Sequence, residues 1–185
     1  MQKIITLLFL LILSSCKSSY LNDFQLNSSD IAKDEFIAKD HVFNSFGCDG
    51  ENISPQLSWK NPPEGTKSFA LTVYDPDAPT GSGWWHWVVL NIPKHHDNLA
   101  RGFGDKEEFR LKNDITQIKN DYGTYTYGGP CPPKGDKPHR YIFTIHALKT
   151  SKIMLNRSDS AAKAGFMINA NSIGTASFSA KFGRN

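Results

Sequence analysis

Phe69-Ala70-Leu71-Thr72-Val73-Tyr74-Asp75-Pro76-Asp77-Ala78-Pro79 is followed, after a short gap, by Gly83-Trp84-Trp85-His86-Trp87-Val88-Val89-Leu90-Asn91-Ile92. Side chains alternate across a strand, so Phe69, Leu71, Val73 and Asp75 share one face of the first run. Pro76 and Pro79 then stiffen a turn. Trp85 to Ile92 predicts a second strand, with Trp85, Trp87 and Val89 on one face and His86, Val88 and Leu90 on the other. Tyr141 to Leu148 predicts a third, with Tyr141, Phe143 and Ile145 together. Gln56 to Trp59 and Ser177 to Phe182 are weaker strand signals, and Asn61-Pro62-Pro63-Glu64-Gly65 is a turn. One helix is predicted, from about Ser160 to Asn169, favoured by Ala161, Ala162 and Ala164 and capped by Ser158 or Asp159. Gly165 counts against it. Arg101 to Asn120 is polar, with little periodicity, and reads as a long surface loop. Short strands joined by Pro/Gly turns imply an all-β sandwich or barrel.

The chain has 185 residues. Met1-Gln2-Lys3 and the apolar run Ile4 to Leu13 form a segment too short for an ordinary membrane span. Leu13-Ser14-Ser15-Cys16 resembles a bacterial lipoprotein cleavage site. The expectation is a signal peptide over 1–16, Cys16 as the lipid-modified terminus, a polar tether over 17–34 and one folded domain over 35–185. Such a protein belongs in the bacterial cell envelope, lipid-anchored to the membrane and facing the periplasm. A formal charge of +3 with no basic stripe argues against nucleic acid as a partner. Cys48 and Cys131 remain after processing. Outside the cytoplasm a bond between them is permitted; two buried thiols are the alternative.

The candidate site residues cluster at the ends of the apolar runs. Asp75 has the parity of an apolar face, so it needs a partner or an open strand end. Asp77 either lines a site or caps the turn. His86 starts its strand just after the acidic turn, and an imidazole titrating near neutrality can bind and release an anion. In Gly128-Gly129-Pro130-Cys131-Pro132-Pro133, glycines permit close backbone approach and prolines stiffen the wall. His139 and Tyr141 share a face and offer two donors to an oxyanion. Arg140 has the opposite parity and reads as a surface ion pair. Of Trp84, Trp85 and Trp87, two read as core and one as pocket rim, with Trp85 taken as the rim residue.

Asp75-Pro76-Asp77-Ala78-Pro79, Trp85-His86-Trp87, Gly129-Pro130-Cys131-Pro132-Pro133-Lys134-Gly135 and His139-Arg140-Tyr141 together resemble the phosphatidylethanolamine-binding protein family, in its bacterial Raf kinase inhibitor-like branch. Phe46-Gly47-Cys48 and Asn52 to Trp59 add to the likeness, which runs from about Phe43 to Phe182. It implies a Greek-key β-sandwich with one or two short helices and a small anion pocket. Carried over residue by residue, the pocket falls on Asp75, Pro79, His86, Gly129, Pro130, Cys131, Pro132, His139 and Tyr141; Asp77 and Trp85 complete the candidate set. Cys131 stands where animal members have glycine, which favours the Cys48–Cys131 bond. The helix that covers the pocket in animal members is not expected here, because Ala176 to Asn185 reads as strand.

The leading reading is a binding module for a small anion, phosphate or a phospholipid head group, acting on an envelope partner and needing no cofactor. A protease inhibitor or signalling scaffold working through protein contacts is one alternative. A metal-dependent hydrolase, with Asp75, Asp77, His86 and His139 as ligands, is another; Cys131 as a nucleophile is a variant of it. The chain contains no Gly-x-Ser-x-Gly, His-Glu-x-x-His or phosphate-binding glycine loop.

Overall fold

The computed structural model describes residues 23–104 and 115–185. The predicted signal peptide, Cys16 and the middle of the 101–120 segment lie outside them. Eight strands form two antiparallel sheets among the described residues. The smaller sheet has the order β1-β2-β5, from Gln25–Asn27, Leu57–Lys60 and Asn98–Leu99. The larger has the order β6-β4-β3-β7-β8, from Thr116–Gln117, Trp84–Pro93, Ser68–Asp75, His139–Leu148 and Ser172–Phe182. After β3, β4 and β6, strand β7 returns to lie beside β3, the connection of a Greek key.

The two sheets enclose one core. Leu26, Leu57, Trp59 and Leu99 from the small sheet meet Phe69, Leu71, Val73, Trp87, Phe143 and Ile145 from the large one. The other face of the large sheet is also buried. Ala70, Val88 and Leu90 pack there with Leu148, Ile153 and the helix residues Ala161, Ala164 and Ile168. A large apolar side chain buried in this way contributes roughly 1.5–3 kcal/mol. Burial on both faces explains why β3 is nearly continuous in apolar residues.

Helix α1 spans Ala161–Asn171, and its cap is Ser160, whose side chain accepts from the Lys163 N–H. The cap lies one or two residues beyond the predicted Ser158 or Asp159. Gly165 has a packing reason: a Cβ there would lie 3.0 Å from the tip of the Trp85 ring. Three other expectations are corrected. Gln25–Asn27 pairs with β2 and buries Leu26, so the predicted tether joins the fold from its middle onward. A three-residue strand is too short to show a period. Thr116–Gln117 pairs with β4, and Ile115, Gln117, Ile118 and Asn120 are buried, so the end of the 101–120 segment is an edge of the sheet.

The third correction is one of parity. Val73 faces Trp87 and Tyr74 faces Trp85, which leaves His86 as an extra residue in β4. This β-bulge shifts everything before it by one position. Trp84 comes opposite Asp75, and Trp85 turns to the helix-covered face. His86 joins the Asp75 side rather than that of Val88 and Leu90. The tail forms β8, as the sequence suggested, and α1 covers the opposite face of the large sheet.

Candidate functional site

The cavity opens at the end of the sandwich where β3 stops, β4 starts and β7 begins. It holds about 180 Å³ and is lined by Asp75, Pro79, Trp84, His86, Tyr122, Cys131, Pro132, His139 and Tyr141, with Phe46, Ala78, Thr80 and Pro133 completing the wall. That is smaller than the ~300–1,000 Å³ of sites for drug-sized ligands, and suits a compact group.

One wall is a closed polar network. Asp75 Oδ1 accepts the N–H groups of Asp77 and Ala78, at 2.8 and 3.1 Å, which shapes the Asp-Pro-Asp turn. Asp75 Oδ2 lies 2.8 Å from His139 Nδ1, and His139 Nε2 lies 3.2 Å from Asp136 Oδ2. Burial pulls the His139 pKa down, but the hydrogen bonds and charges of Asp75 and Asp136 outweigh it, and the net shift is upward. With both ring nitrogens donating to carboxylates, His139 orients Asp75 and is not the free donor that the sequence suggested. Asp77 is not in the wall. Its carboxylate takes Arg140 Nε and Nη2 at 2.9 Å each and the Arg140 N–H at 3.0 Å. The Arg140 hydrogen bond leads in holding Asp77 down at about 2. The ion pair expected of Arg140 is therefore present, with Asp77 as its partner.

The other wall is unsatisfied. His86 Nδ1 lies 2.6 Å from the Gly128 carbonyl, which can only accept, so the proton sits on Nδ1. His86 Nε2, the Tyr141 hydroxyl and Trp84 Nε1 are each buried with no hydrogen-bond partner among the described residues. The His86 and Tyr141 rings meet edge to face with centroids 5.0 Å apart. Burial, chiefly, lowers the His86 pKa to about 4, so the ring is neutral at pH 7 and does not titrate near neutrality as its type suggested. Burial likewise leads in pushing the Tyr122 and Tyr141 phenols well above their ordinary value.

Loops form the rim. Cys48 and Cys131 are bonded, with Cα atoms 6.0 Å apart, an ordinary disulfide span. Arg184 ties both loops down, donating through Nε to the Pro132 carbonyl and through Nη1 to the Gly47 carbonyl, at 2.6 and 3.0 Å. Phe46 projects from this rim, 69% exposed. Gly129 serves the packing and not the cavity: a Cβ on it would lie 2.2 Å from the His41 carbonyl oxygen. The N–H groups of Gly128 and Gly129 are taken by the His86 carbonyl and Asn52 Oδ1, so neither is offered to a ligand.

Of the residues singled out from sequence, Asp75, Pro79, His86, Cys131, Pro132, His139 and Tyr141 meet around the cavity. Asp77, Trp85, Gly129 and Pro130 lie outside its wall. Sequence reasoning passed over Trp84, because the bulge reverses parity ahead of His86, and Tyr122, because its segment has no period. The alternative metal set is not assembled: Asp77 is held by Arg140, both His139 nitrogens are engaged, and no three His, Cys, Asp or Glu side chains among the described residues converge on one ion position. Cys131 has no free thiol with which to attack.

The family model described as "Phosphatidylethanolamine-binding protein" matches residues 27–183. The chain is 53% identical to UPF0098 protein YbcL of Escherichia coli K12 over 153 residues, 83% of this chain and 84% of that protein. It is 46% identical to UPF0098 protein YbhB of the same organism, over 85% of this chain and 99% of that protein. Among solved structures, E. coli YbcL, described as a new member of the mammalian PEBP family, superposes with a TM-score of 0.84 at 50% identity, over 88% of this chain and 99% of that one.

Proposed function

Because the chain belongs to the phosphatidylethanolamine-binding protein family, we propose that it is a binding module whose cavity seats a small oxyanion, phosphate or a phosphate-bearing head group. The observation that carries this reading is the set of three buried, unpartnered polar atoms around one cavity: His86 Nε2, the Tyr141 hydroxyl and Trp84 Nε1. A buried polar group left unpaired costs about 1–3 kcal/mol, so a ligand that pairs them recovers that energy on binding. The cavity volume suits an oxyanion with a short substituent and excludes an acyl chain from the same space. No bond needs to be made or broken, and the protein acts by holding its ligand.

The anchor reading completes the proposal. With Cys16 lipidated and β1 starting at Gln25, the eight residues 17–24 are the whole connection. At ~3.3–3.6 Å per residue they reach at most roughly 28 Å, which keeps the domain against the membrane surface. Exposed Phe46 on the cavity rim favours a second reading, contact with an envelope protein at the same mouth. Calorimetric titration of the purified full chain with inorganic phosphate and with phosphoethanolamine tests the first reading. Saturable binding is expected. No heat from either ligand would remove the oxyanion seat and leave the protein-contact reading.

A further inference from the structure

We propose that the cavity takes its oxyanion as a species that still carries a proton, a hydrogen phosphate or phosphomonoester monoanion, whose own O–H donates to His86 Nε2. This rests on the oxyanion reading above and narrows it to a phosphate group that can keep an O–H, which leaves out the phosphodiester of an intact phospholipid head group.

Geometry comes first. The Gly128 carbonyl, 2.6 Å from Nδ1, holds the proton on that nitrogen, so a neutral His86 ring presents a lone pair at Nε2. The three unpartnered atoms are then one acceptor, His86 Nε2, and two donors, Tyr141 O–H and Trp84 Nε1–H. A fully deprotonated oxyanion has only acceptors and would meet the Nε2 lone pair with its own. A monoanion with one O–H supplies the missing donor and leaves charged oxygens for Tyr141 and Trp84.

Charge points the same way. Asp75 faces His86 from the end of β3. His139 and Tyr141 face it from β7, and Tyr122 from the segment before Gly128. His139 is flanked by the two carboxylates of Asp75 and Asp136, which leaves that wall one negative charge in excess. The Asp77–Arg140 pair is neutral as a unit, and Arg184, bound to two rim carbonyls, keeps one positive charge, which offsets that excess. Among the described residues that line the cavity, no Lys or Arg is left to offset a dianion. Burial also opposes the alternative, in which His86 itself takes the proton. Binding of the monoanion needs no proton exchange; binding from a solution of dianion draws one proton from solvent onto the ligand.

Sulfate has the shape of phosphate but carries no proton between pH 5 and 8, so the pair separates the two ideas. The experiment is calorimetric titration of the full chain with inorganic phosphate and with sulfate across that range, repeated in buffers of different ionisation heat. The expected result is saturable phosphate binding with sulfate at least tenfold weaker. Phosphate affinity should fall about tenfold per pH unit above the second pKa of phosphate, where proton uptake appears. Equal affinity for the two anions overturns the protonated-ligand inference while the oxyanion seat stands. So does sulfate binding accompanied by uptake of one proton, which would place that proton on His86. Binding of neither anion overturns the seat itself, and this inference with it.

Discussion

The two walls of the cavity contain the same kinds of residue and are built to opposite ends. On one, Asp75 and His139 are satisfied by each other and by Asp136 behind them. On the other, His86, Tyr141 and Trp84 each keep one buried polar atom unpaired. Paired groups hold a shape, because breaking a buried pair strands a charge or a donor. Unpaired groups contribute nothing to the shape and are ready for a ligand. The comparison divides residues that sequence alone had placed in one set. His139, taken as an anion donor, belongs to the scaffold, while Trp84, taken as packing or ignored, belongs to the open wall.

The largest expected effect comes from breaking the closed wall. Asp75→Asn keeps an oxygen for the Asp77 and Ala78 N–H groups but sets an amide against His139. Removing one partner of a buried pair costs about 3–5 kcal/mol. We expect urea unfolding to report a loss near the lower end, since Asp136 still serves His139. A loss under about 1 kcal/mol would mean that this wall does not hold the fold.

Next comes pH. His86 and His146 are buried with pKa values lowered, mainly by burial, to about 4 each from an ordinary 6.5. Between those values the unfolded chain binds protons that the folded one does not. Stability therefore falls as pH drops from about 6.5 towards 4, by up to about 7 kcal/mol for the two rings together at ~1.4 kcal/mol per pKa unit. His139 has the opposite sign: its raised pKa gives stability present below the unfolded value and lost as pH rises through the folded one. Urea melts from pH 4 to 8 should show a maximum near neutrality, with about two protons taken up on unfolding near pH 5. A flat profile below pH 6.5 would mean that the two rings are not buried in the neutral form.

The smallest effect on stability is expected at the open wall. Tyr141→Phe removes a hydroxyl with no partner among the described residues, so stability should change by less than about 0.5 kcal/mol or rise slightly. Phosphate affinity should fall about tenfold, the worth of one hydrogen bond to a charged group. Loss of stability with binding intact would reverse the assignment of the two walls.

How much was legible in sequence follows from the range of each signal. Alternation along Phe69 to Asp75 and Tyr141 to Leu148 marked the central strands because both run eight residues or more through two cores. The turn prolines and the His-Arg-Tyr start marked where the cavity lies. The partners did not show. Asp77 and Arg140 are 63 residues apart, as are Asp75 and His139 within one residue, and nothing local tells which acid meets which base. The tautomer of His86 depends on a carbonyl 42 residues away.

By itself the sequence determined the all-β class, the places where strands break and the set from which the cavity walls are drawn, since period and turn chemistry are local properties of the chain. Only the tertiary structure decided which of those residues are spent and which are free. One extra residue at His86 turned Trp84 inward and Trp85 outward, and burial kept His86 neutral while two carboxylates claimed His139. Pairing, parity past a bulge and desolvation all depend on what comes near in space, which no stretch of sequence contains.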